Sequence, residues 1–318
     1  MKQVPATPAV DEDTFWLSAA SYLLPAHYPV TAWVTHTPFA AWLIDVLRPA
    51  AVAELGTHFG CSCFAFAEAA RRTGVDTEIF AVDTWEGDDH AGFYGEEVLS
   101  YVRSVVEADY PSVKLTRGLF SETRPLFADG SVDLLHIDGR HGYEDVREDY
   151  TLWRSAVRDG GVILFHDIAE HDNGFGVWRL WEELAEPGRS FSFEHGHGLG
   201  VLAVGSVHPP ALAALFSADQ ETAVRIRRDY AALGQRADRQ GWLESLPREL
   251  EQVRADVRAR ADHVAQLEGA LEDSRSHLAA LDSHARGLGS RLDAMERSSS
   301  WRVTSPLRAV GRIIPRRR

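Results

Sequence analysis

Val52-Ala-Glu-Leu-Gly56-Thr-His-Phe-Gly60-Cys-Ser62 is the stretch on which the reading of this chain turns. A short, mostly apolar strand runs into a turn with glycines four apart, and an alanine-rich helix is expected over 61–72. That succession suits a small polar ligand. Glycine lets the backbone pass close to it, and the new helix offers unpaired N–H groups and the positive end of its dipole. The spacing is not G-x-G-x-x-G, so a dinucleotide fingerprint is absent. A second strand, Glu78-Ile-Phe-Ala-Val-Asp83, ends in an acid about 20 residues past the turn, the separation at which a carboxylate reaches ribose hydroxyls. Turn and acid together predict a nucleoside ligand without a demanding phosphate.

Further strands are expected at 113–116, 132–137 and 161–166, with helices at 95–108, 121–127 and 142–157 between them. With 51–55 and 78–82 they form an alternation of β and α elements, which predicts a doubly wound, mainly parallel sheet. A tryptophan-rich helix at 177–184 precedes two more β-like runs, 191–193 and 199–204, joined by Glu194-His-Gly-His-Gly198. They read as a closing hairpin and bring the strands to seven. Residues 1–34 read as irregular or loosely helical, and a helix over 39–47, stopped by Pro49, leads into the domain proper at 35–205.

The chain has 318 residues and is 45% apolar, enough for a substantial core. Its net charge of −14 argues against a nucleic-acid-binding surface on the folded body. Cys61 and Cys63 are the only cysteines. Two apart at a helix start, they point away from each other, so neither a disulfide nor a metal pair is expected, and a reducing cytoplasm fits. The first residues, with Asp11, Glu12 and Asp13, lack the basic and apolar regions of a signal peptide, and no run approaches the roughly 20 apolar residues of a membrane span.

The second informative block is Val132-Asp-Leu-Leu-His-Ile-Asp138-Gly-Arg-His141-Gly-Tyr143, followed after a helix by Gly160-Gly-Val-Ile-Leu-Phe-His166-Asp167. Ligands of open α/β sheets bind at the C-terminal strand edge, so Asp138, His141, His166 and Asp167 are expected to converge beside the Gly56 turn. Oxygen and nitrogen donors there, with open positions, suit a divalent ion such as Mg²⁺ or Mn²⁺. Taken singly the residues read more blandly: Asp138 before Gly139 caps a turn, and His136 points into the strand's packing face.

Glu54, Gly56, Gly60 and Ser62 spell acidic-x-Gly-x-x-x-Gly-x-Ser, which resembles the first motif of the class I S-adenosylmethionine (AdoMet) methyltransferases. The resemblance implies a Rossmann-like fold whose closing hairpin is antiparallel. It also implies AdoMet as cofactor, with Gly56 to Gly60 against its methionine part, Glu54, Thr57 and Ser62 among the residues that bind it, and Asp83 on its ribose; the loop 83–95 reads as a cover whose aromatic residues, Trp85 among them, stack on adenine or on a sugar ring. Ile-Asp-Gly-x-His-x-Tyr and Gly-Gly-x-Ile-x-x-His-Asp further resemble the metal-dependent sugar O-methyltransferases, the branch with macrolide-sugar and cephalosporin-biosynthetic members. That likeness implies Asp138 and Asp167 as Mg²⁺ ligands, with His166 where relatives often carry an acid, and His141 as general base. The implied function is O-methylation of a sugar hydroxyl in cell-surface polysaccharide or glycosylated natural-product biosynthesis. Two other readings compete. One is a retired methyltransferase fold serving as a scaffold for glycan-assembly enzymes. The other is a non-haem iron oxygenase using His136, Asp138 and His166, which leaves the Gly56 turn and Asp83 without a task.

Past residue 206 the character changes. A helical linker is expected at 206–249, with a helix over 211–233 and a break at Pro247. A coiled coil is expected at 250–297, with Leu250, Val257, Val264, Leu271, Leu278, Ala285 and Leu292 at one seam position and Val253, Arg260, Leu267, Ser274, Leu281, Leu288 and Met295 at the other. Self-association follows from that pattern. The tail, 298–318, carries six arginines and no acid from Arg302 onward, interleaved with apolar residues. It suits an anionic membrane surface, which makes a peripheral position at the inner membrane face an expectation. Its Ser-x-Ser-Trp-Arg-x-Thr-x-Pro-Leu-Arg pattern also resembles segments after coiled coils in bacterial polysaccharide-assembly proteins, which implies glycosyltransferase partners.

Overall fold

The computed structural model describes residues 14–29, 31–88 and 92–305. It divides into two compact units, 1–244 and 245–318. In the first unit, strands β1 (Ala51–Leu55), β2 (Glu78–Asp83), β5 (Val113–Arg117), β6 (Val132–Ile137), β7 (Val157–His166), β8 (Ser190–Phe193) and β9 (Leu199–Ala203) form one sheet in the order β5-β2-β1-β6-β7-β9-β8. Pairing is parallel from β5 to β7 and antiparallel where β9 meets β7 and β8. This is the mainly parallel, doubly wound, seven-stranded sheet that the sequence predicts. Two-residue strands β3 (Gly87–Asp88) and β4 (Gly92–Phe93) pair antiparallel beside it.

The apolar runs are continuous because both faces of the sheet are covered. Val52, Leu134, Val162 and Leu164 pack with α1 (Thr37–Leu47) and α2 (Cys61–Thr73), whereas Ala53, Leu135, Ile163 and Phe165 pack with α5 (Tyr143–Trp153) and α6 (Val177–Leu184). The period of two fixes which side chains at each strand end meet. α3 (Glu96–Asp109) and α4 (Phe120–Thr123) complete the connections. The helix expected over 121–127 is therefore short, and gives way to a 3₁₀ turn containing Pro125. β7 begins four residues before the expected 161, because Gly160, at φ +81°, carries the chain through a register shift that the polar Arg158-Asp159 disguises.

Residues 210–243 are more than a linker. α7 (Pro210–Phe216) and the first part of α8 (Gln220–Arg297) place Leu212, Phe216, Ile226 and Tyr230 in the core, with the Tyr230 hydroxyl donating to the Trp16 carbonyl. The helix breaks at 217–219, where the Asp219 carboxylate accepts from Thr222 N and caps α8, and it continues through Pro247. A proline forfeits one backbone hydrogen bond, and the Leu, Glu, Arg and Gln residues around it are strong helix formers.

The second unit holds the remainder of α8 and α9 (Ser299–Val303), whose N-cap is Ser298. Most of the basic tail, 306–318, and the first 13 residues lie outside the described residues. Among the described residues no helix is long and apolar enough to cross a membrane.

Candidate functional site

Gly56 leaves β1 at φ +91°, with its N–H on the Val82 carbonyl. A Cβ there would lie 2.0 Å from the Asp138 carbonyl oxygen, so glycine is required where the β1 and β6 exits cross. Gly60 caps α2 at φ +83°, against the Phe64 ring. Between them the loop is held by Asp83: one carboxylate oxygen accepts from Thr57 N and His58 N, both at 2.8 Å, and the other from Trp85 N at 2.7 Å. The acid after β2 thus fixes the turn, and one lone pair on its Oδ1 remains for a ligand.

Glu54 and His136 are register partners on the α2-facing side of β1 and β6, and both are fully buried. The Trp33 indole N–H donates to His136 Nε2 at 3.0 Å, which leaves Nδ1 as the N–H facing Glu54 Oε1 at 3.1 Å. Both ring nitrogens of His136 are committed, so the iron triad of His136, Asp138 and His166 does not assemble. Glu54 Oε2 and Thr57 Oγ1 are buried and have no hydrogen-bond partner among the described residues. Replacing His136 with leucine is expected to destabilise the protein by about 2–4 kcal/mol, since it strands two buried polar groups at roughly 1–2 kcal/mol each. Thermal melting checks this; an unchanged midpoint refutes it.

The ends of β6 and β7 bring Asp138, His141 and Asp167 together, with one donor atom from each within 4.8 Å of the others. His141 Nε2 lies 2.9 Å from Asp167 Oδ2 and 3.8 Å from Asp138 Oδ1, and its ring stacks on Phe175. Asp167 occupies the left-handed region at φ +62°, a strained position for a non-glycine residue and a common mark of a working site. His166 stands behind the carboxylates rather than among them. Its Nε2–H donates to the Gly196 carbonyl at 3.1 Å, and its Nδ1 faces Asp138 at 3.2 Å and Asp167 at 3.3 Å. His166, expected from the sequence as a metal ligand, thus stands outside the group of three convergent donors.

Electrostatics agree with that division. Burial alone lowers His166, but Asp138 and Asp167 outweigh it and push it up to about 10, so both its nitrogens donate. Burial likewise opposes, and the same two carboxylates overcome, for His141, pushed up to about 9. Burial raises Asp167, and the hydrogen bonds from His141 and His166 take it down to about 2; Asp138, beside the same imidazoles, falls well below the ordinary carboxylate range. Holding its proton, His141 is a donor to Asp167. Any group that offsets the carboxylate charge frees it to act as a base.

Loop and cluster face one cavity of about 660 Å³. Gly56, Thr57, Ser62, Asp83, Asp138, His141, His166 and Asp167 all line it. Glu54, Gly60 and Trp85 do not: Trp85 is fully buried under the loop with its indole N–H on the His58 carbonyl, so it is not placed to stack on a ligand. The wall also holds residues that sequence reasoning missed. Asp145, Glu148 and Asp149 of α5 line it, and burial, with repulsion from Glu148 and Asp145, pushes Asp149 up to about 7. Their signal was the i, i+4 spacing of Asp145 and Asp149 on the helix that follows the Asp138 turn. His197, whose Nδ1 is 3.4 Å from Asp167, was also missed. Eight acids and a single arginine, Arg140, line the cavity among the described residues.

An uncharacterized protein of Sinorhizobium fredii is 39% identical over 249 residues, which is 78% of this chain and 27% of that protein, so the chain spans about a quarter of the relative's length. The crystal structure of an O-methyltransferase from Bacillus cereus in complex with SAH shares 18% identity at a TM-score of 0.42, over 57% of this chain and 84% of that one. The O-methyltransferase of tomaymycin synthesis from Streptomyces achromogenes, in complex with SAM, shares 16% at a TM-score of 0.42, over 61% and 99%. The family model described as a methyltransferase domain matches residues 53–168, the span that carries Glu54, Gly56, Asp83, Asp138, His141 and Asp167.

Proposed function

We propose that the cavity binds AdoMet and that the chain transfers its methyl group to a sugar hydroxyl, assisted by a divalent cation at Asp138 and Asp167. The observation that carries this reading is the meeting, in one cavity, of the Gly56 loop and the Asp138–His141–Asp167 cluster. Thr57 Oγ1, buried on the cavity wall without a hydrogen-bond partner, suits the polar end of the cofactor's amino acid part.

The donors fit a hard cation: the Asp138 and Asp167 carboxylates converge and both stay ionised at neutral pH, with His141 beside them as the base. Such a cation supplies Lewis acidity to the acceptor oxygen and offsets the carboxylate charge. The chain's own residues do the rest. Phe175 and Asp167 hold the His141 ring in place, and His141 is the group that takes the hydroxyl proton. His166, anchored on Gly196, keeps Asp138 and Asp167 aimed into the cavity. Alignment of the attacking oxygen with the methyl carbon supplies much of the remaining rate.

The first test is calorimetric titration with AdoMet. The parent is expected to bind, and Asp83→Ala to weaken binding at least about tenfold, since losing even one hydrogen bond to a charged group costs roughly 1.5–3 kcal/mol. Absence of binding by the parent protein refutes the cofactor assignment; equal affinity in Asp83→Ala refutes the role given to Asp83.

A further inference from the structure

Along α8, residues 250 to 295 carry an apolar stripe that nothing among the described residues of their own unit covers: Leu250, Val257, Leu267, Leu278, Leu281 and Met295 are each 48–65% exposed. The stripe is a heptad seam. Its first position reads Leu, Val, Val, Leu, Leu, Ala, Leu at 250, 257, 264, 271, 278, 285 and 292; its second reads Val, Arg, Leu, Ser, Leu, Leu, Met at 253, 260, 267, 274, 281, 288 and 295. Helix-weakening Gly269, Gly287 and Gly289 fall at neither position, and the helix runs unbroken through all three. At 1.5 Å per residue the seam is about 70 Å long.

We propose that this seam is the docking surface for a second copy of the same chain, in a parallel, in-register, two-stranded coiled coil. The flanking residues choose the orientation. In a parallel pair each residue before a first seam position faces the residue five further along the other copy. His263 then faces Glu268, His277 faces Asp282 and Arg291 faces Glu296, while Asp256, Ala270 and His284 meet Ala261, Arg275 and Gly289. No pair sets like charges together. Asp282 pairs with Arg286 of its own helix through Oδ2, which leaves its other oxygen for the second copy. An end-to-end antiparallel alignment instead puts Glu268 beside Asp282 and Arg275 beside its own counterpart, which is repulsive at both places.

The polar seam residues choose the number. Arg260 and Ser274 both lie at the second position. A two-stranded seam is open at its edges, so the Arg260 stem can lie along the apolar surface while its guanidinium reaches Asp256, four residues back on the flank. Three or four strands would enclose that charge and leave it costly.

Sedimentation equilibrium of the full-length protein is expected to give twice the chain mass across micromolar concentrations. Leu267→Asp with Leu271→Asp is expected to give the single-chain mass, and Ala265→Asp, on the outer face, the parental one. Orientation is read by oxidative cross-linking. Cys61 and Cys63 are buried and do not compete. Val253→Cys is expected to cross-link to itself, as is Met295→Cys. A monomer at every concentration, a trimeric or tetrameric mass, or cross-links that form only between Cys variants at 253 and 295 in a mixture would overturn the proposal. A partner protein that displaces self-association would do the same.

Discussion

Gly56→Ala is expected to lose AdoMet binding and about 2–6 kcal/mol of stability. The added Cβ falls 2.0 Å from the Asp138 carbonyl oxygen, where no flexible side chain can yield, and the backbone sits at φ +91°. Overpacking costs roughly 1–3 kcal/mol and an unfavourable backbone region about 1–3 more. Relief moves the β1 exit against the β6 exit, so the loop and Asp138 shift together. Gly74→Ala separates the two contributions, because Gly74 has a similar φ of +66° but open space around it. That variant is expected to lose only the backbone part and to bind AdoMet as the parent does. Thermal melts and titration calorimetry on both proteins are the measurements; a Gly56→Ala protein with parental affinity refutes the argument.

Treatment with EDTA is expected to abolish methyl transfer, with Mg²⁺ or Mn²⁺ restoring it. Asp138→Ala and Asp167→Ala should stay inactive after metal is added, since each removes one of the two carboxylates proposed to hold the cation. His141→Ala is expected to lower kcat about 10²–10⁴-fold, the usual yield of a positioned general base, while AdoMet affinity stays near the parent's. The split matters, because a variant that merely unfolds the site loses both. Turnover at the full rate in chelator would leave the cluster without its proposed role.

How much of this was legible in the sequence depends on the range of the interaction. The sheet was legible because each strand is an apolar run bounded by turns, and its alternating residues face two covered surfaces. The convergence of Asp138, His141 and Asp167 was legible because strand ends in a parallel sheet share an edge. The division of labour between the histidines was not. It depends on the Gly196 carbonyl, thirty residues from His166 in a loop between β8 and β9, which claims that ring's Nε2. Asp83 looked like a ribose ligand, and its three backbone N–H partners become visible only when the loop closes over it. Trp85 looked like a stacking platform because sequence does not say which side of a loop an indole occupies. Pro247 looked like a helix end, yet the break came at 217–219, where a capping Asp219 outranks a proline among strong helix formers.

The wall of eight acids against one arginine has a consequence for turnover itself. Even with His141 and His166 carrying their protons, the cavity holds a negative potential, and such a potential favours any cation inside it. AdoMet is a sulfonium; the product left after the methyl departs is a neutral thioether. On the proposed reading the reaction erases the charge that the field holds, so the pocket is expected to grip the spent cofactor less firmly than the fresh one. Added salt weakens this preference at the exposed rim more than at the buried floor. Exchange of product for substrate would then be driven partly by the chemistry that precedes it.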